Sequence, residues 1–154
     1  MSVIILDEAK QVIYEHARRI YPHECCGFLY GLDIPTRSIC LVKPVDNYQK
    51  EEKKTRYQIS SLDYMKAEHF AIQSNLTLLG IYHSHPNHPA IPSDFDTQLA
   101  LPFFSYLIVA VVNKEVKEMR SWRLNEERKF VEDILINEQT ITYSKTQNQE
   151  VYYG

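Results

Sequence analysis

The sequence predicts an α/β domain in which a mixed β-sheet is flanked by at least three helices. Residues 7–20 and 60–75 repeat apolar side chains at helical spacing, and a third helix start is marked at Ser93. Residues 77–82 and 106–112 are apolar runs of strand length, as expected for strands buried on both faces. A chain of 154 residues with no repeat or linker suits one such domain.

The N-terminal third alternates strand, helix and strands. Residues 4–6 are predicted to form either a short strand or a hydrophobic staple onto the first helix, and Asp7 is predicted to be the N-cap of that helix. His16 lies on or beside the apolar face of that helix and is predicted to be structural. Strands are predicted over residues 25–32 and 38–45, with a turn between them.

The middle of the chain is predicted to contain a charged loop, a strand and a helix. Residues 46–54 lack periodicity, whereas residues 55–59 alternate and are interpreted as a third strand. Ser60 is predicted to cap the following helix, and Asn75 to end it. The inner face of this helix is predicted to carry Leu62, Met65, Ala67, His69, Phe70 and Ile72, with Met65 in the core.

The C-terminal part is predicted to return as a hairpin. Residues 113–115 form its turn, and residues 116–124 alternate as the returning strand expected after the run at 106–112. Residues 130–137 suit another strand or a short helix. We therefore predict a folded domain over residues 1–137, followed by a polar C-terminal tail over 138–154.

Bulk composition argues against several classes of function. The net charge is −3 and the isoelectric point is about 6.1, which gives no electrostatic basis for binding nucleic acid or an anionic membrane. No apolar run approaches the roughly 20 residues that span a bilayer. The N-terminus has no basic leader, so a cytoplasmic location is expected.

The three cysteines do not form an obvious disulfide framework, because their number is odd and Cys25 and Cys26 are adjacent. We interpret them as small buried side chains of a strand. A cysteine nucleophile would need a base, and only His23 is close in sequence. A thiolate zinc site is not favoured either, since no second cysteine pair is present.

The most informative segment follows the apolar run at 77–82. His83 and His85 are two residues apart, and strand alternation places both imidazoles on the same face. A proline-rich loop, residues 86–92, leads to a Ser-x-x-Asp pattern typical of a helix start, with Ser93 at the N-cap and Asp96 at N3. Two imidazoles and a carboxylate are a complete set of protein ligands for a catalytic zinc ion that keeps a position for water.

The His-Ser-His-Pro segment at 83–86, with Ser93 and Asp96 at this spacing, resembles the signature of the JAMM (MPN+) zinc metallopeptidases. That family also has an upstream glutamate, and Glu24 lies where it is expected. The resemblance runs from about residue 6 to about residue 124. The short chain and the Glu-x-Cys-Gly context look most like the bacterial branch that trims ubiquitin-like sulfur-carrier proteins.

This resemblance implies a three-layer, cytidine-deaminase-like fold with one Zn²⁺ at an end of the sheet. The implied zinc ligands are His83, His85 and Asp96, and Glu24 is the implied general base for the attacking water. The resemblance also implies that Ser93 stabilises the oxyanion in addition to capping its helix. His88 is expected near the ligands but not as one of them.

The implied substrate is the C-terminal tail of a ubiquitin-like sulfur-carrier protein, with no nucleic acid or membrane partner. Two alternatives remain open. A scaffold of the same fold would bind no zinc, and a zinc hydrolase of small amides would need a deep closed pocket instead of an open groove. The sequence leaves the oligomeric state open.

Overall fold

The computed structural model of the chain describes residues 1–138, so nearly all of the predicted tail, 138–154, lies outside the described residues. The secondary structure elements are β1 (Ser2–Ile5), α1 (Asp7–Ile20), β2 (Cys26–Leu32), β3 (Arg37–Val45), α2 (Ser61–Gln73), β4 (Thr77–Pro86), α3 (Asp94–Leu99), β5 (Ser105–Val112), β6 (Glu115–Leu124) and β7 (Phe130–Asn137). The last predicted segment is thus a strand and not a helix. None of these helices is long and apolar enough to cross a membrane.

The strands form one mixed sheet in the order β1-β3-β2-β4-β5-β6-β7. Strand β1 runs parallel to β3 on one side and parallel to β7 on the other, so the sheet closes on itself. The central pair, β4 and β5, is also parallel, whereas β2 runs antiparallel to both β3 and β4. The predicted mixed sheet with helices is confirmed, but the sheet is a closed barrel-like one and not the open middle layer of three.

Helices α1 and α2 cover opposite faces of the central strands. On the α1 side, Ala9, Ile13 and Ala17 belong to the same buried cluster as Leu29 and Leu107. On the α2 side, a second buried cluster joins the helix to β2, β4 and β5, with members Ala67, Ala71, Phe28, Ile81 and Tyr106. Alternation along each strand supplies one residue to each cluster in turn, which explains why these strands are apolar throughout.

The strand predicted over residues 55–59 is wrong. Tyr57 and Ile59 are buried, so the alternation in the sequence reflects real burial, but no strand within residues 1–138 pairs with this segment. Its backbone hydrogen bonds go instead to the loop before it: Gln58 O accepts from Tyr48 N, and Gln58 N donates to Asn47 Oδ1. The segment is therefore an irregular stretch that the side chain of Asn47 holds by hydrogen bonds.

The inner face predicted for α2 is also partly wrong. Leu62, Met65 and Ile72 are 53%, 61% and 76% exposed, so Met65 is not a core residue. The helix packs on the sheet through the small side chains of Ala67 and Ala71, which are buried. Apolar residues occur on two sides of this helix, and helical spacing alone does not say which side faces the sheet.

The residues at the ends of α1 and α2 explain where these helices begin and end. Ser60 is the N-cap of α2 and its side chain accepts from Asp63 N, as predicted. Asn75, with φ of 54°, follows the helix in the left-handed region that asparagine tolerates. Asp7 is not an N-cap, because Leu6 occupies that position without a side-chain cap and Asp7 is the first helical residue.

His16 is a buried histidine that joins α1 to β4. Its Nδ1 lies 2.8 Å from the hydroxyl oxygen of Tyr82, and the side chain is 5% exposed. Burial, and then the nearby charge of Arg19, lower the pKa of His16 from 6.5 to about 4. The predicted structural role of His16 agrees with this environment, because the fold favours the neutral ring.

We expect His16 to weaken the fold as the pH falls. The folded pKa is below the unfolded one, so its stabilising effect is complete above about pH 6.5 and is lost on the way to about pH 4. The stability of the protein relative to a His16→Gln variant should therefore fall by about 3 kcal/mol over that interval. Urea unfolding at several pH values, in a chelator, measures this difference.

The matched control is His23→Gln, because His23 is exposed. Its stability is measured over the same pH interval, so that the effect of the buried position is compared with that of an exposed one. A pH-independent difference for His16→Gln would contradict the assignment.

Candidate metal centre

The C-terminal end of β4 presents two imidazoles side by side. His83 and His85 are 0% and 1% exposed, and their Nε2 atoms lie 3.1 Å apart. Pairing with β2 on one side and β5 on the other fixes the backbone at this point, with Cys26 opposite His83 and Ala110 opposite His85. The alternation expected from the sequence is therefore realised, and both rings lie on the same face.

The start of α3 brings a carboxylate to the same point. Asp96 Oδ2 lies 3.1 Å from His85 Nε2 and 3.3 Å from His83 Nε2. Ser93 is the N-cap, its hydroxyl accepts from Asp96 N, and Asp96 Oδ2 in turn accepts from Ser93 N. This reciprocal capping box orients the Asp96 side chain. The same carboxylate therefore caps the helix and supplies the acidic group of the cluster.

Glu24 reaches the cluster from a distant part of the sequence. Its Oε1 lies 4.0 Å from His83 Nε2, and the residue is 1% exposed. The next residue, Cys25, makes two hydrogen bonds to β4: its N donates to Ser84 Oγ, and its carbonyl accepts from Ser84 N. The pairing of β2 with β4 thus continues past the strand end and places Glu24 beside His83. Ser84 therefore fixes the register between β4 and the residues before β2, and its side chain does not face the cluster.

The hydrogen bonds of His85 determine which of its nitrogens faces the cluster as an acceptor. His85 Nδ1 lies 2.7 Å from the carbonyl oxygen of Pro89. A carbonyl only accepts, so Nδ1 carries the proton, and in the neutral ring Nε2 has a free lone pair. That lone pair faces Asp96 Oδ2, which is also an acceptor. Two acceptors at 3.1 Å repel each other unless a cation or a proton lies between them.

The donor atoms have the spacing that a tetrahedral metal ion requires. The separations within the set formed by the two Nε2 atoms and Asp96 Oδ2 are 3.1, 3.1 and 3.3 Å. Metal–ligand bonds of 2.0–2.1 Å in a tetrahedron give donor separations of about 3.3 Å. Within the described residues, Glu24 also has a donor atom within 4.8 Å of those of both histidines. The residues present therefore fit a divalent metal ion.

The electrostatics of the two carboxylates also favour a cation. For Asp96, burial acts to raise the pKa, but positive charge on His83, hydrogen bonds from protonated imidazoles and the hydrogen bond from Ser93 N hold the pKa well below its usual value whenever no metal ion takes the place of those protons. For Glu24, burial and then the negative charge of Asp96 raise the pKa to about 9. Glu24 Oε2 is buried and has no hydrogen-bond partner among the described residues. A metal ion would supply the positive charge that this carboxylate lacks.

Two aromatic rings outside the predicted motif stack on the imidazoles. Tyr57 stacks on His83, with ring centroids 4.4 Å apart and planes 25° apart. His88 stacks on His85 at 4.1 Å and 24°, and its Nδ1 donates to the carbonyl oxygen of Pro86. The expectation that His88 lies near the cluster without facing it agrees with this geometry. Tyr57 was missed, and the alternation of residues 55–59 was the signal that could have marked it as buried.

A groove lies beside the cluster. It has a volume of about 390 Å³ and is lined by Tyr57, Gln58, Ile59, Tyr64, Glu68, Leu99 and Leu101. Leu99 and Leu101 are 45% and 44% exposed, so the groove is open along this wall. Tyr57 separates it from His83 by the thickness of one ring. The groove therefore adjoins the cluster through the Tyr57 ring, and none of the residues that line it belongs to the cluster.

The cysteines do not contribute a nucleophile. Cys25 and Cys26 are buried and are not disulfide-bonded. Burial raises the pKa of the Cys25 thiol to about 11 and that of Cys26 still further. A thiol kept protonated in this way is a poor nucleophile and a poor metal ligand, in agreement with the interpretation of both as core residues.

Comparison with known proteins gives a family and several relatives. Residues 7–125 match the family described as prokaryotic homologues of the JAB domain. The chain is 32% identical over 126 residues to the CysO-cysteine peptidase of Mycobacterium tuberculosis, covering 79% of this chain and 82% of that protein. It is 28% identical over 109 residues to the desampylase of Pyrococcus furiosus, covering 71% and 72%.

Solved structures show the same fold. A protein from Desulfitobacterium hafniense has a TM-score of 0.77 and 26% identity, covering 90% of this chain and 93% of its own. A JAB1/MPN domain protein from Archaeoglobus fulgidus has a TM-score of 0.55 and 17% identity, covering 87% and 99%. At that identity, the second comparison supports the fold alone.

We expect Asp96→Asn to lose divalent metal. The substitution removes the negative charge from the donor set, while the remaining amide oxygen still accepts from Ser93 N and keeps the helix cap. The loss of affinity should exceed the roughly 10–100-fold that removal of an outer partner costs. Competition with a chromophoric chelator measures it.

Asp94→Asn is the matched control, because Asp94 is an exposed acid in the same first turn. That variant should bind metal as the unmodified protein does. Equal metal affinity of the Asp96→Asn variant and the unmodified protein would exclude Asp96 as a ligand.

Proposed function

Because the chain belongs to the family of prokaryotic homologues of the JAB domain, we propose that it is a zinc metallopeptidase of the JAMM type. Its substrate is an amide bond at the C-terminal tail of a ubiquitin-like sulfur-carrier protein. The observation that carries this proposal is the buried cluster of two imidazoles and two carboxylates at the end of β4. The relatives named as a CysO-cysteine peptidase and a desampylase support a peptidase acting on a protein tail.

We assign the two carboxylates different roles, and their distances from the imidazoles support this assignment. Asp96 Oδ2 has the separation from both imidazoles that ligands of one ion have, so we assign His83, His85 and Asp96 to the zinc. Glu24 Oε1 is farther away, at 4.0 Å from His83 Nε2. Because of that longer separation we assign Glu24 as the general base and not as a ligand; it would accept the proton of a water molecule that a bound ion activates.

Glu24 moves the proton. His83, His85 and Asp96 would hold the zinc, which when bound would supply a Lewis acid that lowers the pKa of a water molecule and polarises the scissile carbonyl. Glu24 accepts the proton of the attacking water at its carboxylate and gives it to the nitrogen of the leaving amine. Its burial keeps competing water away, and the absence of a hydrogen-bond partner at Oε2 among the described residues leaves that oxygen available.

Ser93 has a free donor beside the cluster. Its hydroxyl oxygen accepts from Asp96 N, which uses a lone pair and leaves the hydroxyl hydrogen available. Ser93 is exposed, so a substrate oxygen has access to it. A donor aimed at a developing oxyanion contributes ~3 kcal/mol to lowering the barrier. We assign Ser93 both the cap and this donor role.

The groove favours a protein tail over a small amide. A small substrate is best enclosed, whereas the groove along Leu99 and Leu101 is open and about 390 Å³ in volume. Its walls are apolar and aromatic apart from Gln58 and Glu68. An extended tail lying in this groove would contact Tyr57, whose ring stacks on His83.

We expect Glu24→Gln to keep zinc and to lose turnover. The amide has nearly the same shape but cannot accept the proton, and removal of a general base costs about 10²–10⁴ in rate. The measurement is mass-spectrometric detection of tail cleavage on C-terminally extended carrier proteins, combined with metal analysis of the same samples. A chelator should abolish cleavage by the unmodified protein.

Glu15→Gln, at an exposed position of α1, is the control and should retain both metal and activity. Loss of zinc from Glu24→Gln would make Glu24 a ligand. Undiminished cleavage by that variant would remove it from the mechanism.

A further inference from the structure

The irregular loop between β3 and α2, residues 46–60, is hydrogen-bonded to the backbone of Glu24. Glu24 N donates to the carbonyl oxygen of Lys53, and the Glu24 carbonyl oxygen accepts from Asn47 Nδ2 at 3.1 Å. Both polar groups of the Glu24 main chain are therefore held by this loop. The loop is part of the site even though none of its residues belongs to the ligand motif.

Asn47 holds the loop together. Its Nδ2 donates to the carbonyl oxygens of Glu24 and Arg56, and its Oδ1 accepts from the N atoms of Gln49 and Gln58. These four bonds use both donors and both acceptor positions of an amide side chain. Two of them fall on the residues that flank Tyr57. Asn47 thus fixes the backbone on both sides of the ring that stacks on His83.

The two imidazoles of the cluster are supported differently. His85 Nδ1 is held by the carbonyl oxygen of Pro89, the outer hydrogen bond that ligating histidines usually have. His83 Nδ1 is buried and has no hydrogen-bond partner among the described residues. No outer hydrogen bond therefore sets the rotation of the His83 ring. Its fixed neighbour is the face of Tyr57, 4.4 Å away and nearly parallel.

We infer that Tyr57 is a positioning residue for the metal, acting through His83, and that Asn47 keeps Tyr57 in place. The stacked ring replaces the hydrogen bond that His83 lacks, because it restricts the imidazole to one plane with Nε2 directed at the cluster. This inference rests on the metal site of the proposed function. It extends the site to a loop that the ligand motif does not include.

Tyr57 also forms the wall of the groove that is nearest to His83. A substrate segment in the groove would press on the same ring that orients the ligand. The loop therefore connects occupancy of the groove with the geometry of the cluster through one side chain.

The experiment measures metal binding and not turnover. The full chain and its variants Tyr57→Leu, Tyr57→Phe and Asn47→Asp are titrated with Zn²⁺ in competition with a chromophoric chelator. The Co²⁺-loaded proteins are compared by visible absorption, which reports ligand geometry. Tyr48→Leu is the matched control, since Tyr48 lies in the same loop and is 57% exposed. Urea midpoints report how much of each variant is folded.

Tyr57→Leu should weaken Zn²⁺ binding by about 10–100-fold and alter the Co²⁺ spectrum. Tyr57→Phe, which keeps the ring, and Tyr48→Leu should both bind as the unmodified protein does. Asn47→Asp keeps the two acceptor bonds but loses both donors, so it should weaken binding in the same direction without changing any buried side chain.

Unchanged affinity and spectrum in folded Tyr57→Leu would overturn the inference while leaving the proposed function intact. If Tyr57→Leu does not fold, Asn47→Asp decides the question alone, and unchanged binding there overturns the inference. An unmodified protein that takes up no metal would overturn the proposed function, and this inference with it.

Discussion

The site depends on one electrostatic constraint: two imidazoles and two carboxylates meet in a buried space without a lysine or arginine among the described residues beside them. The lone pair of His85 Nε2 and the Asp96 carboxylate face each other at 3.1 Å, and Glu24 lies within reach of His83. None of the ion pairs among residues 1–138 brings a lysine or arginine to either carboxylate. Such an arrangement is costly for a folded protein unless a positive ion accompanies it. A metal ion with tetrahedral preference matches the donor spacing and removes the cost.

The fold brings these groups together by three local devices. A strand end delivers two imidazoles on one face, a capping box orients the acid at the start of α3, and backbone pairing of β2 with β4 carries Glu24 to the same point. Each device is ordinary secondary structure chemistry. Their convergence depends on β4 being paired with β2 on one side and with β5 on the other.

Local patterns in the sequence were sufficient for part of this site. The spacing of His83 and His85 and the Ser-x-x-Asp cap are short-range signals that depend only on strand and helix periodicity. Glu24 is separated from His83 by 58 residues, so only the resemblance to a family pointed to it. Its pairing with β4 is a tertiary contact that no local pattern contains.

The errors have a common cause: the spacing of apolar residues specifies neither whether a segment pairs as a strand nor which face of a helix is buried. Tyr57 and Ile59 alternate because they are buried against the core and the cluster, yet the segment has no partner strand. Met65 has helical spacing but lies on the exposed side of α2, since Ala67 and Ala71 allow close approach to the sheet. Closure of the sheet depends on the pairing of β1 with β7, which are far apart in the sequence.

X-ray absorption spectroscopy at the zinc edge tests the central claim most directly. The account predicts a first shell of nitrogen and oxygen at about 2.0–2.1 Å, with the multiple-scattering pattern of two imidazoles. A sulfur shell at about 2.3 Å, which would point to Cys25 or Cys26, or a spectrum with fewer than two imidazoles would contradict it.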